Sequence, residues 1–204
     1  MSAIDTHSQT IFIVDDDPAI RSAMQALLDS VNLKHEIFAS ADEFLQHEEQ
    51  HRSGCLVLDI RMPGLGGLEL QEELLARGST LPIIFITGHG DVPMAVDAMQ
   101  KGAVDFIQKP FRDQELLDRI GEALSTDRQR RAELDHQAEV AGRLERLTNR
   151  EREVFDLVVT GKPNKVIAFD LDVSQRTVEI HRARVMEKME ARSLADLVRM
   201  HMTL

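Results

Sequence analysis

Tryptophan and tyrosine are absent from this chain of 204 residues, and cysteine occurs once. Without those two rings an aromatic platform for stacking single-stranded nucleic acid is not expected. A lone thiol cannot build a disulfide framework, which fits a reducing cytosol. Cys55 itself lies in an apolar run and reads as a packing residue, because buried apolar thiols are inert. No apolar run approaches the ~20 residues that a bilayer-crossing helix needs. The first ten residues, MSAIDTHSQT, lack the charged and apolar regions of a signal peptide. The expectation is a cytoplasmic protein with no membrane partner.

Basic charge is also scarce, with 24 Lys and Arg against 35 Asp and Glu and a formal net charge of −11. Residues 1–124 hold 21 acidic and 9 basic side chains, residues 125–147 five of each, and residues 148–204 nine acidic and ten basic. An acidic front part repels nucleic acid, so any such contact belongs to the back third.

What the front part does contain is a set of short apolar runs, each closed by a chemically active residue. Ile11-Phe12-Ile13-Val14 ends in Asp15, Asp16 and Asp17, and Cys55-Leu56-Val57-Leu58 ends in Asp59. Pro82-Ile83-Ile84-Phe85-Ile86 ends in Thr87, and Val104-Asp105-Phe106-Ile107-Gln108 ends in Lys109-Pro110. Runs of this kind read as strands buried on both faces of a parallel sheet. In such sheets ligands bind at the carboxyl edge. Several carboxylates gathered there repel one another unless a hard divalent cation neutralises them.

Between the runs lie helical patterns. Pro18 suits a first helical position, and Ile20, Ala23, Met24, Leu27, Leu28 and Val31 form one stripe. His35–Ala39 is a further strand, and Ser40 with Glu43 makes a capping box for a second helix. Helices are also expected over about 67–77, from Val92 to a stop at Gly102, and over about 113–124. Strand and helix alternate five times, which predicts a (βα)5 fold, a five-stranded parallel sheet with helices on both faces.

Residues 125–146 lack Pro and mix charges among strong helix formers, so a helical linker is expected. Leu134, Ala138, Ala141, Leu144 and Leu147 could form a thin seam for pairing with another copy, or the helix could be a solvated spacer. From 147 to 204 an all-α, four-helix domain is expected. Thr148 with Glu151 is a capping box, Gly161 a helix stop, Asn164 a cap for a short helix, and Ser193 a cap for the last. The turn Asp172-Val173-Ser174 between two helices makes a helix-turn-helix.

An acidic pair, a lone Asp, a hydroxyl and a Lys-Pro, in that order at successive strand ends, resemble the receiver domain of two-component response regulators. The block from Thr87 to Met94, TGHGDVPM, is similar to the FixJ branch. Leu147-Thr148-x-Arg150-Glu151-x-Glu153-Val154, Asn164-Lys165-x-Ile167-Ala168 and Thr177-Val178-Glu179-x-His181-Arg182 resemble the LuxR-type DNA-binding domain. The two resemblances imply a receiver over 1–124 and a helix-turn-helix domain over 147–204. Together they imply a DNA-binding transcriptional regulator phosphorylated on Asp59 by a sensor histidine kinase. They also imply a homodimer on activation, with promoter DNA and RNA polymerase as the other partners.

In phosphoryl transfer to a carboxylate, Asp59 is the nucleophile, and Asp16, with Asp15 through water, holds Mg²⁺, for which Mn²⁺ can substitute. The resemblance adds the backbone carbonyl of Arg61 as a ligand, and Thr87 with Phe106 as a switch pair. Lys109 and Thr87 are donors to the phosphoryl oxygens. Arg61 and His89 occupy positions that modulate phosphate loss in the family. Plainer readings stand beside these: Lys109 as a surface lysine, Thr87 as a helix cap, Phe106 as core, Asp17 as the cap of the first helix. His47 and His51 have no evident third metal ligand, and an Asp-x-Asp phosphatase pattern is missing because Arg61 fills its second position. An enzyme with its own substrate is therefore not expected. A regulator independent of phosphorylation, using the receiver only to dimerise, is the remaining alternative.

At the DNA end, Arg176, Thr177, Glu179, Ile180, Arg182, Ala183 and Arg184 occupy the part of the second helix that enters a major groove. Lys162, Lys165 and Lys188 are placed for phosphates. Val173, Val178 and Val185 read as core, and His181 as core or a phosphate contact. A charge of +1 is weak for a DNA-binding module, so paired half-sites are expected.

Overall fold

Strand β1 (Thr10–Val14) leads into helix α1 (Pro18–Ser30), and the alternation then continues through β2 (His35–Phe38), α2 (Ala41–His47), β3 (Gly54–Asp59), α3 (Gly67–Ala76), β4 (Ile83–Thr87), α4 (Val92–Gln100), β5 (Asp105–Gln108) and α5 (Asp113–Glu145). The structure, a computed structural model, describes residues 9–47, 52–88 and 92–204. His51 and His89 lie outside them. The chain divides into two compact units, Met1–Arg130 and Arg131–Leu204.

In the first unit all strand pairs are parallel, in the order β2-β1-β3-β4-β5. Every residue of β1, β3 and β4 is buried because helices cover both faces of the sheet. Phe12, Leu56, Leu58 and Phe85 pack on Phe44 of α2 and Leu70 and Leu74 of α3. The alternate residues Ile11, Ile13, Cys55, Val57, Ile84 and Ile86 pack on Met24 and Leu28 of α1 and Leu116 and Ile120 of α5. Each such side chain stabilises the fold by about 1.5–3 kcal/mol. Cys55 is buried, and burial first, then the Asp127 charge, pushes its thiol pKa up, which leaves it a packing residue.

Asp17 caps α1 by accepting from the Ala19 amide, with Pro18 at the first position. Val31, expected on the buried stripe, is exposed: the helix ends at Ser30 and the chain turns at Asn32, whose φ is 54°. Ser40 Oγ accepts from the Glu43 amide, while the Glu43 carboxylate reaches the Ala39 amide, one residue before the cap.

Helix α5 runs unbroken for 33 residues, joining the helix expected to about Leu124 and the helical linker expected after it into one element. No Pro interrupts it. Asp127 on α5 is 1% exposed, and its Oδ2 accepts from Gln9 Nε2 (2.8 Å), Ser53 Oγ (2.9 Å) and the Gly54 amide (2.9 Å). Arg130 donates to the Thr80 carbonyl at 2.9 Å. These bonds tie α5 to the amino edge of the sheet. Residues 132–139 are exposed, and Val140 and Leu144 are buried in the core of the second unit. Of the expected seam, Leu134 and Ala138 face solvent, while Leu144 and Leu147 pack within their own unit.

The second unit adds α6 (Asn149–Val159), α7 (Asn164–Asp170), α8 (Gln175–Lys188) and α9 (Leu194–Thr203). Thr148 and Glu151 form the expected capping box, and Ser174 and Ser193 cap α8 and α9. Asn164 does not cap α7. Pro163 holds that position, and Asn164 Oδ1 instead accepts from Arg182 Nη1 at 2.9 Å, which ties α7 to α8. Val154, Phe155, Ile167, Val178, Val185, Met189 and Leu197 form the shared core.

Candidate functional site

The strand order reverses direction between β1 and β3, and at such a switch point the loops leave the sheet on opposite sides and open a crevice. Asp15 follows β1, and Asp59 is the last residue of β3. Both are buried, whereas Asp16 is exposed at the rim. One carboxylate oxygen from each of Asp15, Asp16 and Asp59 lies within 4.8 Å of the others.

Neighbouring backbone holds these groups in place. The Asp17 amide donates to Asp15 Oδ1 at 2.8 Å, and Arg21 Nη1 donates to the Asp15 carbonyl at 2.7 Å. Behind Asp59, Gly67 opens α3 so close to the strand that a Cβ there would meet the Asp59 carbonyl oxygen at 2.3 Å. Gly67 was not singled out from sequence, though the Gly66-Gly67 pair just before a helical pattern was a visible sign.

Lys109 comes from the far side of the sheet. Its amide donates to the Thr87 carbonyl at 2.8 Å, which joins the ends of β4 and β5. Its Nζ donates to Asp59 Oδ1 at 2.8 Å and to Asp15 Oδ2 at 2.9 Å. Burial opposes the Lys109 charge, but the hydrogen bonds to Asp59 and Asp15 outweigh it and hold its pKa above the ordinary lysine value. Burial raises the pKa of Asp59, the Asp15 and Asp16 charges add to this, and the Lys109 bond and charge counter it. The donor set is all oxygen, which suits a hard divalent ion.

Thr87 is buried at the end of β4, and its Oγ1 donates to the Gly88 carbonyl at 3.3 Å. Phe106, on the edge strand β5, is 39% exposed, so it is not a core ring. Arg61 lies two residues past β3 and is exposed.

At the second site, α7 and α8 are joined by a turn in which Asp172 has a φ of 52°. At 3.6 residues per turn, Arg176, Ile180, Ala183 and Arg184 fall opposite the buried Val178 and Val185. All four are exposed. The side chains of Arg176, Arg184 and Lys165 make no hydrogen bond or ion pair among the described residues. Thr177 Oγ1 lies 2.7 Å from Ser174 Oγ, and Glu179 accepts from Gln175 at 3.2 Å. Lys162 pairs with Asp170 at 2.7 Å, and Lys188 with Glu151 at 2.5 Å. Arg182 is engaged by Asn164. His181 is half-buried, with Nδ1 buried and unpaired.

A doubly wound parallel sheet with a carboxylate crevice at its switch point, followed by a helix-turn-helix unit, defines a switchable DNA-binding regulator. Comparison with known proteins gives the family. Residues 11–121 match the response regulator receiver domain, and residues 145–201 match the bacterial regulatory proteins of the luxR family. The chain belongs to the response regulators that carry a LuxR-type DNA-binding domain. It is 50% identical over 194 residues to Nodulation protein W of Bradyrhizobium diazoefficiens, covering 95% of this chain and 86% of that one. It is 47% identical to the transcriptional regulatory protein FixJ of Rhizobium meliloti, covering 94% of each. Among solved structures it is similar to the response regulator StyR, with a TM-score of 0.86, 43% identity and 97% and 100% of the two chains covered. Among the described residues no helix is long and apolar enough to cross a membrane.

Proposed function

We propose that Asp59 accepts a phosphoryl group from a sensor histidine kinase and that this event controls promoter binding by α8. The observation that carries the reading is the Asp59 carboxylate at a sheet edge, 2.8 Å from Lys109 and clustered with Asp15 and Asp16. An Asp59 oxygen forms the new bond to phosphorus as the bond to the donor histidine nitrogen breaks, giving an acyl phosphate and a free imidazole. Lys109 then moves its ammonium from the two carboxylates to a phosphoryl oxygen, and Thr87 turns its hydroxyl from Gly88 to another. Asp15, Asp16, Asp59 and the Arg61 carbonyl would hold Mg²⁺ or Mn²⁺, which when bound neutralises charge on the phosphoryl oxygens. Phe106, exposed at rest, turns inward as Thr87 withdraws. The protein has no outside substrate; water slowly removes the phosphoryl group.

The α4 and β5 face then pairs two receivers, and the paired α8 helices read two half-sites of promoter DNA in the cytoplasm and engage RNA polymerase there. Arg176, Thr177, Glu179, Ile180, Ala183 and Arg184 face the bases, Lys165 and Lys162 the phosphates. Lys162, Arg182 and Lys188, each engaged within the unit, contribute by exchanging partners.

The test is mass in solution by light scattering, with Mg²⁺ and beryllofluoride, for the wild type beside Asp59→Asn. Dimers in the wild type alone are expected. Equal behaviour of the two proteins, with equal promoter affinity, would leave the receiver a phosphorylation-independent module.

A further inference from the structure

The carboxyl end of α8 is held by a side chain from outside the helix-turn-helix. Arg143, on the last turns of α5, is only 15% exposed; its Nη1 donates to the Met189 carbonyl at 3.2 Å, and its Nη2 lies 3.0 Å from Glu190 and 2.8 Å from Glu139. Met189 is the C-cap of α8 and is buried. The guanidinium thus satisfies one of the orphan carbonyls at that end and places a cation at the negative pole of the helix dipole. Glu190, the next residue, has a φ of 54°, a left-handed conformation that favours glycine. Its ion pair with Arg143 helps hold the strained residue there. Val140 and Leu144, on the same turns of α5, are buried in one core with Val185 and Met189 of α8. Lys188 donates to the Arg146 carbonyl at 3.1 Å and to Glu151 at 2.5 Å, a second tie on the same end.

We infer that Arg143 is a positioning residue for DNA reading, fixing the carboxyl end of α8 so that its amino half meets the bases in one pose. The inference rests on α8 being the reading helix. Base contacts need that pose, because a displacement of one ångström breaks a bidentate bond. Phosphate contacts do not, because they are electrostatic and insensitive to register. Loss of Arg143 therefore lowers discrimination between sequences and spares non-specific affinity. The effect is distinct from that of Lys165, which faces phosphate and weakens every duplex alike.

The experiment uses the full chain activated with Mg²⁺ and beryllofluoride, a duplex selected by the wild type from a random pool, and a scrambled duplex of equal length. Arg143→Met keeps the aliphatic stem and removes the donors. At fixed salt and well below the melting temperature, the ratio of non-specific to specific Kd is expected to fall about tenfold, as for one lost base contact. The non-specific Kd and its salt slope stay as in the wild type. Arg143→Lys, which cannot fork to three acceptors, recovers part of the ratio. Should Arg143→Met not fold, Glu190→Gln removes the ion pair alone and is expected to lower the ratio less, in the same direction. An unchanged ratio in a folded variant, or equal loss on both duplexes, overturns the inference. If the wild type selects no sequence, or Arg176→Ala and Arg184→Ala leave the selected site unchanged, it is the reading of α8 that fails.

Discussion

Lys109 Nζ bridges Asp59 and Asp15, donating to one at 2.8 Å and to the other at 2.9 Å. A single ammonium therefore bridges two buried carboxylates and offsets part of their charge, and removing it leaves like charges facing each other with no cation between them. For Lys109→Met we expect a loss of about 2 kcal/mol in receiver stability without divalent ions, less than the ~3–5 kcal/mol of a fully buried broken pair because Lys109 is partly exposed. Thermal unfolding with and without Mg²⁺ checks this. The variant should gain more from Mg²⁺ than the wild type does, and an equal gain would show that Lys109 does not balance the crevice.

Gly67→Ala places a methyl group 2.3 Å from the Asp59 carbonyl, a backbone atom with no room to yield. The expected result is destabilisation by about 1–3 kcal/mol, as for overpacking, together with slower uptake of phosphoryl from a small phosphodonor. Stopped-flow measurement of the uptake rate against urea stability separates the two, since Gly78→Ala, in open space and strained only by its φ of 75°, should alter stability alone.

Asp127→Ala removes one acceptor from three donors at the amino edge of the sheet. Urea unfolding should show a loss of about 2–4 kcal/mol, because orphaned buried donors cost about 1–3 kcal/mol each and water reaches some of them. Asp127→Asn, which keeps one acceptor oxygen, should lose about half as much.

Glu151 predicts a pH dependence in the second unit. Hydrogen bonds from Lys188 and from the Thr148 amide depress its pKa from 4.5 to about 2. A carboxylate with a depressed folded pKa stabilises above its unfolded value and ceases to as pH falls through the folded one. The contribution should be complete above about pH 4.5 and vanish near pH 2, amounting to roughly 1–3 kcal/mol. Glu151→Gln should remove that slope from urea unfolding followed between pH 5 and roughly pH 2. An unchanged slope would mean that other carboxylates carry it.

Asp15, Asp59, Thr87 and Lys109 were legible from sequence because each closes a buried apolar run, and a polar residue at that place has few purposes besides chemistry. Asp127 and Arg143 were not, since both sit in a helix of mixed charge where a structural acid or base looks like its solvated neighbours. Phe106 was ambiguous, and its exposure came from the edge position of β5. Arg182 and Lys188 looked like DNA contacts by spacing, yet each meets a carboxylate or amide oxygen from a distant element.

The sequence by itself determined the two kinds of fold, the strand ends that hold the acidic residues and most helix caps, because period, caps and runs are local properties of the chain. Only the tertiary structure decided that Asp127 ties α5 to the amino edge of the sheet, that Lys109 spans two carboxylates at once, and that Arg143 grips the end of α8. Those outcomes depend on which side chains meet across 46 to 118 residues of separation, and contacts of that range leave no period in the sequence.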